Sequence, residues 1–176
     1  MIPGLEVKFA GGAPVLTGGH EIEGYASLFG LTDQGGDAVL PGAFAASLAR
    51  LKARGDKVRM LWQHDPARPI GVWDEIREDE KGLWVKGRLL PEVAQAREAA
   101  ALIRAGAIDG LSIGFRTIRA TRDGKGRRAL AEVELWEVSL VTFPMLPEAK
   151  VGRKDTADLR EVAAIFAEAT RAMRQQ

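Results

Sequence analysis

The chain contains no cysteine. That absence removes disulfide frameworks, zinc knuckles and thiol nucleophiles together, and it fits a reducing compartment. Histidine is scarce as well, with two in 176 residues. His20 and His64 lie far apart in sequence and neither sits in an HExxH helix, so neither a metal site nor a cofactor is expected. An excess of charge is also missing: 25 Lys and Arg face 24 Asp and Glu, a net charge of +1. No overall field draws the chain to nucleic acid or to an anionic membrane, and neither is expected as a partner. No apolar run approaches the roughly 18 residues of a spanning helix. The start, MIPGLEVKFAGG, lacks the basic residues and apolar stretch of a secretory signal, so the reading is a soluble cytoplasmic protein.

What is present is ordinary for a globular fold, with 46% apolar and 28% charged residues. The length suits one domain able to bury a real core. The run EIEGYASLF over 21–29 alternates with the period of two of a strand, and a Gly/Asp-rich loop, LTDQGGDAVLPG, follows it. FAASLARLKARG sets Phe44, Leu48 and Leu51 on one helical stripe and stops at Gly55, which suits a left-handed cap. KVRMLWQH alternates up to Asp65-Pro66, which are expected to end the ladder and leave His64 at a strand's exit. IGVWDEIRED and GLWVKGRLL read as a hairpin. Val93, Ala96, Ala100 and Ile103 mark a second helix between Pro91 and Gly106. The long stretch from Gly110 to Pro144 reads as two strands about a turn at Asp123-Gly124-Lys125-Gly126. Finally, Leu159, Val162, Phe166, Ala169 and Met173 repeat at steps of three and four, which predicts an amphipathic C-terminal helix. Many strands with a few helices predict a mainly β, α+β fold: an antiparallel β-barrel flanked by helices, with an open sheet as the alternative. Residues 1–148 form the expected catalytic domain, and 149–176 a linker and the tail helix.

Without cysteine, a covalent hydrolase is left with hydroxyl, lysine or carboxylate chemistry, and there are four serines, at 27, 47, 112 and 139. A two-residue turn at Gly124-Lys125 pairs Asp123 with Gly126 and, further along, places Ser112 opposite Glu137. Opposed side chains in an antiparallel ladder share a face at about 5 Å between Cβ atoms. The same register puts Leu111, Ile113, Trp136 and Val138 on the other face, as core. A hydroxyl needs an imidazole to take its proton and a third group to orient that imidazole, needs that Ser112, His64 and Glu137 would meet. Gly114 leaves room beside the serine for a substrate backbone. Arg116, on the same face, is a candidate for the developing oxyanion or for substrate binding, with a solvated strand arginine as the other reading.

Three blocks, LWQHDPARPIG, GAIDGLSIGF and ELWEVSLVTFPMLPEA, closely resemble those of the HK97-type phage prohead proteases, whose fold is similar to that of herpesvirus assemblins. EIEGYASLFG and DAVLPGAF extend the resemblance over about residues 20 to 150. The resemblance implies a serine endopeptidase that cuts scaffolding protein, or the scaffolding segment of the major capsid protein, inside an assembling procapsid in the bacterial host, and that often processes itself. His64 and Ser112 carry over with the motifs. Assemblin-like enzymes use a second histidine as third member, and here Glu137 takes that place, with Glu134 and Asp65 as competitors.

The other readings are a different serine hydrolase, such as an esterase, and a non-enzymatic assembly or scaffold-binding module. Against the esterase stands the lack of a G-x-S-x-G elbow. Ser139 and Glu134 read as ordinary strand residues, His20 as exposed and incidental. Trp62, Trp73, Trp84 and Trp136 read as core and barrel-lining groups. The tail helix packs on its own domain, docks onto a scaffold or a second subunit, or is removed by cleavage in PEAKVGRKDT.

Overall fold

The computed structural model describes residues 6–10, 15–33, 35–122, 124 and 126–142. The tail helix and its linker fall outside the described residues. Among the described residues, nine strands and two helices run in the order β1 (Glu6–Ala10), β2 (Val15–Thr17), β3 (Glu21–Leu28), β4 (Asp37–Val39), α1 (Ala45–Arg54), β5 (Arg59–Trp62), β6 (Asp65–Glu78), β7 (Gly82–Leu89), α2 (Ala94–Arg104), β8 (Gly110–Arg122) and β9 (Arg128–Val141). Among the described residues, no helix is long and apolar enough to cross a membrane.

All nine strands belong to one sheet of order β1-β8-β9-β5-β6-β7-β3-β2, with β4 added beside β9. The expected antiparallel barrel is corrected in two respects. The sheet is mixed, because β9 pairs in parallel with both β4 and β5. It is also open: β1 and β2 end the hydrogen-bonded path without meeting, and the sheet curls into a half-barrel that brings β3 against β8. Parallel pairing needs a crossover, and the chain between β5 and β9 supplies one through β6, β7, α2 and β8. The Gly/Asp-rich loop proves to contain β4.

Local chemistry accounts for most elements. In β7 the alternating Leu83, Val85, Gly87 and Leu89 are buried, the pattern of a strand with one face on the core. Helix α1 ends at Gly55, whose φ of 69° is the left-handed cap its sequence predicts. Helix α2 buries Ala96, Ala99, Ala100 and Ile103. The core gathers Ile22, Phe44, Met60, Ile70, Leu111 and Leu140, among others; full burial of one such large side chain contributes roughly 1.5–3 kcal/mol. Of the four tryptophans only Trp73 is buried, and its indole N–H donates to the Val138 carbonyl at 3.3 Å. Trp62 and Trp84 are half-buried and Trp136 is 36% exposed, so the reading of all four as core is corrected.

Candidate active site

The site is built on three neighbouring strands, β8, β9 and β5. In the β8–β9 ladder Ser112 pairs with Ser139, and Gly114 with Glu137. The predicted pairing of Ser112 with Glu137 is thus offset by two residues. The register shifts between Gly114 and Phe115, where β9 advances from Glu137 to Leu135 and leaves Trp136 as an extra residue, the signature of a bulge. That bulge is also why Trp136 is exposed rather than on the core face with Leu111, Ile113 and Val138. Because side chains alternate with a period of two, an offset of two keeps Glu137 on the face of Ser112.

His64 comes from the turn between β5 and β6. Trp62 pairs with Asp65, so Gln63 and His64 form a two-residue connection, and both have positive φ, 53° and 59°. Asp65-Pro66 therefore begins the next strand instead of ending the ladder. Two non-glycine residues in this region are costly, on the order of 1–3 kcal/mol each, and persist only where the surroundings hold them. Here the parallel β5–β9 edge does so. The Gln63 N–H donates to the Leu140 carbonyl at 3.0 Å, the Gln63 amide donates to the Thr142 hydroxyl at 2.6 Å, and the His64 N–H donates to Ser139 Oγ at 3.1 Å.

This turn aims the imidazole between a hydroxyl and a carboxylate. Ser112 Oγ lies 2.6 Å from His64 Nε2, and His64 Nδ1 lies 2.5 Å from Glu137 Oε1. Glu137 Oε2 accepts from Ser139 Oγ at 2.5 Å. Glu137 is 3% exposed, and a carboxylate that far from water must be hydrogen-bonded; the ring and the Ser139 hydroxyl do this, one on each oxygen. With the carboxylate facing Nδ1, the favoured neutral tautomer carries its proton there and presents the Nε2 lone pair to Ser112. Ser112 and Ser139 are both fully buried.

The remaining sequence candidates fall as follows. The volume over Gly114 is filled by Glu137: a Cβ there would stand 2.1 Å from Oε1. The glycine therefore makes room for the carboxylate, and the space read as open to a substrate backbone is occupied. Arg116 is exposed and paired with Glu134 at 2.8 Å. Asp65 pairs with Arg68 at 3.2 Å and accepts from the Ala67 N–H. His20 is exposed. Ser139, read as an ordinary strand residue, is corrected: it bonds both Glu137 and the His64 backbone. Its place two residues after Glu137, on the same strand face, was the available signal.

The family described as caudovirus prohead serine protease matches residues 13–163. The prohead protease of Enterobacteria phage HK97 is 38% identical over 157 residues, which are 87% of this chain and 66% of that protein's length. The structure of the bacteriophage T4 capsid assembly protease matches with a TM-score of 0.62 at 17% identity, over 82% of this chain and 100% of that one, a likeness of fold. A serine, an imidazole and a carboxylate in hydrogen-bonded series, in a chain matched over these lengths, lead to one assignment: the chain belongs to the caudovirus prohead serine protease family.

Proposed function

We propose that this chain is a serine endopeptidase of phage procapsid maturation, with Ser112 as nucleophile, His64 as general base and acid, and Glu137 as the group that orients His64. The observation that carries this reading is the unbroken series Ser112 Oγ, His64 Nε2, His64 Nδ1, Glu137 Oε1 at 2.6 and 2.5 Å, distances within reach of proton transfer. As Ser112 Oγ attacks the scissile carbonyl carbon, His64 takes its proton, and Glu137 stabilises the imidazolium without being protonated. His64 then gives that proton to the leaving amine. Water, deprotonated in turn by His64, attacks the acyl-enzyme and restores Ser112.

The proposed substrates are scaffolding protein and the scaffolding segment of the major capsid protein, cut inside the procapsid in the bacterial host, with self-cleavage as an accompanying reaction. The same proposal takes residues 1–148 as the catalytic unit and 149–176 as a linker and a segment for docking on scaffold or a second copy, or for removal. Arg116 enters it as a substrate-facing cation on the strand of Ser112, and Gly114 as the residue that admits Glu137. Because the series is already hydrogen-bonded in a single chain, a delay before encapsidation would act on access to the buried Ser112.

The test is co-expression with the neighbouring capsid or scaffold protein, as wild type and as Ser112→Ala, followed by intact-mass measurement of both partners. Fragments that depend on Ser112 are expected. Identical masses in a soluble, folded pair would favour the non-enzymatic assembly module.

A further inference from the structure

Ser139 has the burial of a core residue and the partners of a site residue. It is 0% exposed on β9, directly opposite Ser112. A serine hydroxyl offers one donor and two acceptor lone pairs. The donor goes to Glu137 Oε2 at 2.5 Å, and an acceptor takes the His64 N–H at 3.1 Å. Both partners belong to the series that ends at Ser112.

We infer that Ser139 is a positioning residue: its one hydroxyl fixes the Glu137 carboxylate and the His64 backbone relative to each other, so that Nε2 points at Ser112. The inference rests on the reading of Ser112, His64 and Glu137 as the catalytic residues. Its physical basis is the freedom that each partner would otherwise have. The Glu137 side chain has three rotatable bonds, and its terminal carboxylate torsion is broad. A bond to Oε1 alone sets a distance to His64 but leaves the carboxylate plane free to turn about that contact. The bond to Oε2 supplies the second anchor. His64, with φ of 59°, sits in a backbone region that relaxes to negative φ unless held, and its N–H is held by Ser139. A misplacement of about 1 Å in a catalytic group can cost on the order of 100-fold in rate, so this anchoring acts on the chemical step.

The experiment uses the full chain as wild type, Ser139→Ala, Ser139→Thr and Ser112→Ala. Three quantities are read: the rate at which a fluorophosphonate forms a P–O bond to Ser112 with loss of fluoride, and kcat and KM on the co-expressed scaffold substrate. Thermal unfolding of each variant is followed in parallel. Ser139→Ala is expected to lower the phosphonylation rate and kcat by about 10- to 100-fold, the worth of a hydrogen bond to a charged group, with KM changed less than about twofold. Ser139→Thr keeps the hydroxyl in a strand position that accepts β-branched residues and is expected to recover most of the rate. An equal loss in the Ala and Thr variants, or a loss in KM alone, overturns the inference. So does a wild-type rate in Ser139→Ala beside an inactive Ser112→Ala, and that result leaves the catalytic reading intact. Full activity in Ser112→Ala would instead remove the catalytic reading itself.

Discussion

Gly114 lies opposite Glu137 on the β8–β9 ladder, and the carboxylate occupies the volume that a β-carbon at Gly114 would fill. An added Cβ would stand 2.1 Å from Oε1, 2.8 Å from Cδ and 2.9 Å from Cγ. The stem of Glu137 would have to move as well as its tip, and the tip is tied to His64 and Ser139. Gly114→Ala is therefore expected to lower the rate of Ser112 modification by about 100-fold or more, with an overpacking cost of about 1–3 kcal/mol. Fluorophosphonate labelling beside urea unfolding measures both. A folded Gly114→Ala protein that labels at the wild-type rate would show that Glu137 can leave its position without consequence.

Glu137→Gln tests the charge apart from the shape. Glutamine preserves volume and an acceptor oxygen, but it removes the negative charge that stabilises the imidazolium and favours the proton on Nδ1. In serine proteases of this logic the corresponding acid-to-amide change costs about 10⁴-fold in kcat, and a fall of about 10³- to 10⁴-fold is expected here, with the folded state retained. A loss below tenfold would move the orienting role to another group, and Glu134→Gln and Asp65→Asn would then be assayed beside it.

Ser112 and His64 act as one unit in this mechanism, so their effects should not add. Removing either member of such a unit costs nearly as much as removing both. Ser112→Ala, His64→Ala and the double variant are thus expected to share one residual rate on the scaffold substrate. Multiplicative losses would mean that the two residues serve separate steps.

The legibility of this site in the sequence can be traced residue by residue. The hairpins, the stop of α1 at Gly55 and the stripe of α2 follow from local chemistry, and the sequence conveys them. Face within one strand is also local, because alternation puts Ser112 and Gly114 on one side of β8 and Glu137 and Ser139 on one side of β9. Register is not. It depends on the turn, where Arg122 pairs with Arg128 and not with Arg127, and on the bulge at Trp136, which nothing in LWEVSL marks; these two single-residue steps put Glu137 two positions from the true partner of Ser112, Ser139. An offset of two spared the face and the conclusion; an offset of one would have sent Glu137 into the core. The parallel edge between β5 and β9 joins segments some 78 positions apart by number, Arg59 and Glu137, and no local pattern encodes it. That edge is what brings His64 to Ser112 and holds its backbone at positive φ.

A pH dependence of stability is expected where β1 joins β8. Burial of Glu6 would raise its pKa, but hydrogen bonds from Thr117 and Arg128, together with the Arg128 charge, outweigh it and hold the carboxyl below its ordinary 4.5. The Glu6 carboxylate accepts from the Thr117 N–H at 3.1 Å and is ion-paired with Arg128, which also donates to Thr117 Oγ1 at 2.6 Å. Asp79 shifts in the same direction, chiefly through the Tyr25 hydroxyl at 2.7 Å. A group whose folded pKa is depressed binds fewer protons folded than unfolded, so stability rises with pH across the interval between the two values. The contribution of Glu6 is accordingly complete above its unfolded value near 4.5 and disappears as pH falls through its lower folded value. Urea midpoints of the wild type should therefore drop through this interval, and Glu6→Gln, which has no proton to bind there, should flatten that drop while lowering the midpoint at pH 7. Parallel curves for the two proteins, offset by a constant amount from pH 7 down through the acid range, would place the linkage on other carboxylates.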